Sequence, residues 1–314
     1  MKEFLFLLVP CCFLLGGCGA PSDQSESRVS SIPIGFSLQN ASNAWTAAGA
    51  LVAGYTPRDA GTEGGERAAK WLHEELLKRE ISSRIDTFRD QTPRGKKSFH
   101  NVLGTLEGTG DEWIILLSHF DTMSGIGKGF EGANDGASST GLLLELARVL
   151  RSTGPHKTNF LFGFMDGEEC MLTYCEIDGF HGSKRLARQM KNEKRNVRAV
   201  ILADMVGDRD LKIMLPRNGT AELRVLALEA AEKAGVRDHI GLYDGAVLDD
   251  HQAFLDQGFP AVDLIDFEFG SAPGKNDYWH TPQDSMDKIS AESLHVTGRI
   301  ICEMIGQLQY SPRK

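Results

Sequence analysis

At 314 residues, 41% hydrophobic and 25% charged, the chain is ordinary globular material, long enough for one large domain or two small ones. Its formal net charge of −9 argues against nucleic acid as the main partner, because phosphate contacts need clustered Lys and Arg. The acidic balance selects no function by itself, since most acidic proteins are simply soluble.

Residues 1–18, MKEFLFLLVPCCFLLGGC, pass from Lys2 into an apolar run too short for a comfortable membrane span and suited to a signal-peptide core. The LLGGC ending resembles the lipobox of bacterial lipoproteins. That resemblance implies Cys18 as the lipidated first residue of an exported, membrane-anchored protein facing the periplasm or the cell exterior. Residues 19–40, polar and Ser-containing, read as a flexible tether. Export leaves Cys170, Cys175 and Cys302 in a compartment that permits disulfides. Cys170 and Cys175 are close enough in sequence to pair, but spacing does not give connectivity.

Beyond the tether, residues 40–55 and 62–80 look helical, the second with Ala68, Trp71, Leu72 and Leu76 on one stripe. FHNVLGTLEG (99–108) and EWIILLSHFD (112–121) read as strands, the latter apolar enough to be central. A helix with a strong apolar face follows over 138–152, then a strand over 158–169, a helix over 182–193 and a strand over 197–208. The helix over 221–235 ends at Gly235, a typical C-terminal cap residue. A short helix (251–258), a strand (259–267) and a closing helix (291–308) complete the chain. The alternation predicts a three-layer α/β/α sandwich around a mixed, largely parallel sheet, as one domain over 41–312. In such sheets a ligand site lies beyond the carboxyl ends of the strands.

Polar residues collect at those ends. His119 and Asp121 close one strand, Glu168 and Glu169 follow another, and Asp204 ends a third. Asp135 opens the long helix, within a Gly-rich stretch that reads as the turn delivering it, and His280 lies in the last loop. Asp, Glu and His converging at one end of a sheet suit a divalent ion, with zinc the leading candidate. Adjacent side chains on extended backbone point apart, so one of Glu168 and Glu169 can bind metal while the other faces substrate as a general base. Singly, each residue has a plainer reading, such as a helix-start acid, a solvated loop charge or a packing histidine; their shared placement argues for a site.

In order and spacing, SHFDT, GANDGASSTGLLLELAR, FMDGEE, ADMVGD and YWHTPQD resemble the zinc aminopeptidase and glutaminyl cyclase family of metallopeptidases, over nearly all of residues 41–310. The resemblance implies Asp135, Glu169 and His280 as zinc ligands and Glu168 as general acid/base. It implies Asp204 and Asp249 in a hydrogen-bond network with Glu168, and Trp279 orienting the substrate with Phe269 nearby. Trp279 before the last ligand, Asp249 before Asp250-His251, and the segment 166–190 resemble the cyclase branch, which holds one zinc and closes an N-terminal Gln into pyroglutamate. Tyr174 falls where many cyclases carry a pocket Trp, and Leu248 where a polar residue is known. The alternative branch is a two-zinc aminopeptidase, in which His119 and Asp204 would bind the second ion. Either way the partner is the N-terminus of a peptide or protein. A remoter reading is a non-catalytic peptide-binding lipoprotein on the same fold.

Overall fold

The most apolar runs of the sequence become the middle of one sheet. The computed structural model describes residues 34–310, with residue 1; the apolar leader, Cys18 and most of the expected tether lie outside the described residues. Eight strands follow in chain order: β1 (Ser82–Thr92), β2 (Gly95–Leu106), β3 (Glu112–His119), β4 (Asn159–Met165), β5 (Asn196–Asp204), β6 (Ile213–Leu215), β7 (Ile240–Leu242) and β8 (Ala261–Ile265). They pair in the order β1-β2-β4-β3-β5-β8-β6-β7. The central four, β4, β3, β5 and β8, are mutually parallel, while β1, β2 and β6 join antiparallel to their inner neighbours.

Helices cover both faces. α1 (Leu38–Tyr55), α2 (Glu63–Lys78), α3 (Ser139–Thr153), α5 (Ala221–Ala234) and α7 (Ala291–Tyr310) pack on one; α4 (His181–Asn192) and α6 (Asp250–Leu255) pack on the other. Strand alternation divides the core accordingly. Ile114, Leu116, Phe160, Phe162 and Phe164 serve the first face, while Ile115, Leu117, Leu161 and Met165 serve the second. Truncating one of these fully buried phenylalanines to Ala would cost about 3–5 kcal/mol. Residues 34–310 lie within one compact unit.

The helices fall where the periodicity puts them, with one instructive difference at an end. α1 begins at Leu38, inside the expected tether, because Ser37 and Asn40 form a reciprocal cap: Asn40 N donates to Ser37 Oγ (3.2 Å) and Ser37 N to Asn40 Oδ1 (2.7 Å). α5 closes at Gly235 with φ +67°, as its composition predicts. Three strands escape the pattern. β1 is an edge strand whose polar residues mask the alternate burial of Asp86 and Phe88, and β6 and β7, three residues each, exist only through tertiary pairing.

Candidate metal centre

Three of the four parallel strands deliver polar site residues at the same end. His119 is the last residue of β3 and Asp204 the last of β5; Glu168 and Glu169 follow β4. Asp135 arrives from a kinked turn before α3, with Asp135 at φ −86°, ψ +92° and Gly136 at φ +86°. Gly136 is needed for two reasons. Its left-handed backbone suits glycine, and a Cβ there would stand 2.8 Å from His119 Cε1. His280 itself is held at φ +53°, an uncommon conformation for histidine that fits a functional position.

The side chains meet in two triads that share Asp135. Asp135, Glu169 and His280 form one, and His119, Asp135 and Asp204 the other. His280 Nε2 lies 3.0 Å from Glu169 Oε1 and 3.2 Å from Asp135 Oδ2. His119 Nε2 lies 3.1 Å from Asp135 Oδ1 and 3.2 Å from Asp204 Oδ1. Asp135 Oδ2 and His119 Nδ1 are buried without a hydrogen-bond partner. His119 Nδ1 faces Asp121 at 3.6 Å, which orients the ring with Nε2 toward the two carboxylates.

The electrostatics ask for a cation. Burial opposes protonation of His119, yet Asp204, Asp121 and Asp135 hold its pKa well above the usual histidine range. Burial likewise opposes His280, and Asp135 and Glu169 lift it to about 10. Burial, then the charge of Asp135, raises Glu169 to about 7. Buried carboxylates are tolerated when paired or coordinating metal, and a carboxylate–imidazole set suits a borderline divalent ion. The residues therefore fit a metal centre.

Three further residues clamp the ligand-bearing loops. Asp121 accepts from the backbone N–H of Glu168 (3.3 Å) and Glu169 (3.2 Å), fixing the turn that carries both side chains to the cavity. Asp284 accepts from Asn134 N (2.7 Å) and Asp135 N (3.1 Å), tying the His280 loop to the shared ligand. Fully buried Arg58 donates to Phe120 O, Glu131 O and Gly132 O, joining the end of β3 to the turn before Asp135; burial lowers its pKa to about 10.

Glu168 belongs to neither triad and lines the cavity, as do Asp204, Asp249, Tyr174 and Trp279. Burial, then the neighbouring charges of Glu169 and Asp249, raises its pKa well above the carboxylate range. Trp279 stacks on His280 (4.0 Å between centroids, 24°) and leans on Phe267 (5.4 Å). Tyr174 Oη donates to Glu169 Oε2 at 2.9 Å, steadied by a stack on Phe180.

The match to the family model for Peptidase family M28 spans residues 101–305, from β2 into α7, and so takes in both triads. The chain belongs to peptidase family M28. Its relatives include the glutaminyl-peptide cyclotransferase of Drosophila melanogaster, 26% identical over 74% of this chain and 72% of that protein. Among solved structures, an Acidobacteriales bacterium glutaminyl cyclase is 30% identical, with TM-score 0.82, over 93% of this chain and 99% of that one. A Zn-dependent exopeptidase from Parabacteroides distasonis shares the fold at 24% identity, with TM-score 0.76, over 86% of this chain and 98% of that one.

On the M28 scaffold, some expectations need correction. Phe269 does not touch the cavity: it is buried against Met205 and Ile265, edge-on to Tyr278, and Phe267 takes the place beside Trp279. Among the described residues, no direct hydrogen bond links Glu168, Asp204 and Asp249. Asp204 Oδ1 serves His119 and Met205 N, and Asp249 Oδ1 caps α6 through Asp250 N. The three carboxylates share a cavity and its field rather than a hydrogen-bonded chain. Cys170, Cys175 and Cys302 are free thiols, the first and last buried and Cys175 exposed. Sequence reasoning missed the roles of Arg58, Asp121 and Asp284; the last two lie inside the SHFDT and YWHTPQD motifs, and that was the available signal.

Proposed function

We propose that the chain is a zinc-dependent glutaminyl-peptide cyclotransferase, converting an N-terminal Gln of peptides to pyroglutamate and releasing ammonia. The observation that carries this reading is Glu168: a buried carboxyl in the cavity, beside the Asp135–Glu169–His280 triad and outside both triads. Zinc held by that triad would supply Lewis acidity toward a carbonyl oxygen. The remaining chemistry belongs to the protein's own groups. Glu168 takes a proton from the substrate α-amine as the nitrogen attacks the γ-carboxamide carbon. The ring C–N bond forms, the bond to the amide nitrogen breaks, and Glu168 returns the proton to the departing ammonia. A raised pKa suits a group that must both accept and donate near neutral pH. Burial, then the negative charge of Glu169 and Asp249, favours Glu168 in its protonated form between the two transfers. Trp279 supplies a flat wall beside the reacting residue, while Tyr174 steadies Glu169.

Cyclase is favoured over peptidase by the relatives: a structure named as a glutaminyl cyclase is similar over nearly all of both chains at 30% identity. An aminopeptidase is the second reading, favoured by the intact His119–Asp135–Asp204 triad, which offers a second cation place. The reading extends to the N-terminus, where lipidation at Cys18 would anchor the enzyme on an exported face of the membrane. Incubation with a Gln-initiated and a Leu-initiated peptide, followed by mass spectrometry, tests the assignment. Loss of ammonia from the first alone is expected, with about one zinc per chain; release of a free N-terminal residue would make the protein a peptidase.

A further inference from the structure

The cavity changes character from its floor to its mouth. The floor holds the buried carboxylates and His280, whereas the outer wall is built from Tyr243, Val247, Leu248 and Phe267 and carries no charge. Its volume, about 260 Å³, is slightly below the roughly 300–1,000 Å³ of typical ligand pockets, so it takes one substrate residue and leaves the next at the mouth. Two large apolar side chains of this wall stand open to solvent, Tyr243 39% and Leu248 59% exposed, and Leu242, 60% exposed, adjoins Tyr243 in the chain. Clustered exposed apolar groups beside a ligand site mark a binding surface.

The segment carrying them is fastened at several points. Asn218 grips Val247 from both sides, accepting from its N–H (3.1 Å) and donating to its carbonyl (2.8 Å). Tyr243 N donates to Leu215 O, and Arg217 N to Gly245 O. Gly245 lets the Tyr243 ring fold over the turn, since a Cβ there would stand 2.5 Å from the ring. An apolar surface on a pinned backbone is preorganised, so little ordering opposes binding.

We propose that Leu248 and Tyr243 form a subsite for the second residue of the substrate peptide and select a large apolar side chain there. The inference rests on the cyclase reading. With the α-amine and the Gln side chain at the carboxylate floor, the chain continues outward and its next side chain lies along this wall. An acidic second residue is disfavoured twice, by desolvation on an apolar surface and by repulsion from the carboxylates below.

The test compares the zinc-loaded full chain on the amides Gln-Leu, Gln-Gly and Gln-Asp, with kcat/KM read from ammonia release. Gln-Leu should exceed Gln-Gly by on the order of tenfold, the scale of hydrophobic-pocket discrimination. The difference should lie in KM, as for binding made equally in ground and transition state. Gln-Asp should be the poorest. In Leu248→Ala/Tyr243→Ala, whose altered side chains lie at the surface, the Gln-Leu to Gln-Gly ratio should collapse toward one. Equal kcat/KM for the three peptides in the parent protein overturns the subsite and leaves the cyclase reading standing; so does a ratio that survives the double substitution. If no Gln peptide is cyclised, the cyclase reading fails and the subsite falls with it.

Discussion

Replacing Glu168 by Gln removes an ionisable oxygen and almost no volume. If Glu168 moves the proton, kcat should fall by 10²–10⁴-fold, the usual contribution of general acid/base catalysis, or about 2.7–5.4 kcal/mol of barrier. Metal content should be unchanged, because Glu168 stands in neither triad. Stability gives an independent check on the sign. Burial and its acidic neighbours raise the pKa of Glu168 above its unfolded value. Below the unfolded pKa both states hold the proton and the group contributes nothing. Above the folded pKa both are ionised and the buried charge is destabilising in full. Glu168→Gln should therefore gain stability relative to the parent as pH rises from 4 toward 8, while activity is lost. The assay is ammonia release from a Gln peptide, with zinc by elemental analysis and urea unfolding at both pH values. Activity within about threefold of the parent, with zinc bound, would remove Glu168 from the mechanism, since that is well short of the smallest loss expected of a general base.

Asp284→Ala should weaken metal binding 10–100-fold, by releasing the backbone of Asn134 and Asp135, without removing any ligand; a competition titration against a chelator measures it. Asp266 reports on pH away from the metal centre. Burial raises its carboxyl to about 7, and it accepts from Lys212 N and Glu268 N. The native state then binds more protons than the unfolded chain between pH 4 and pH 7, so this group's contribution to stability falls as pH rises. The stability of Asp266→Asn relative to the parent should rise between pH 4 and pH 8 by as much as about 4 kcal/mol, from ~3 pKa units at 1.36 kcal/mol each. A difference independent of pH in urea titrations would contradict the assignment.

Much of the site was legible because its chemistry sits at the ends of strongly patterned elements. Once EWIILLSH, NFLFGFM and NVRAVILAD read as parallel central strands, His119, Glu168, Glu169 and Asp204 had to share one end of the sheet. Phe269 shows where this reasoning stops. Phe267 and Phe269 both follow β8, and only the fold of the loop, in which Tyr278 N bonds Phe269 O, buries one and leaves the other beside Trp279.

The sequence by itself determined the layered α/β architecture and the acid-rich end of the sheet. Those follow from periodicity and backbone geometry, which act over a few residues. Only the tertiary structure decided that both triads share Asp135, that Tyr174 reaches Glu169, and that Arg58, Asp121 and Asp284 hold the loops. Each of those three clamps joins a side chain to backbone groups far along the chain: 149 residues separate Asp284 from Asp135 and 62 separate Arg58 from Phe120. Such a bond leaves no local pattern, because its partner is any N–H or carbonyl that folding brings within reach.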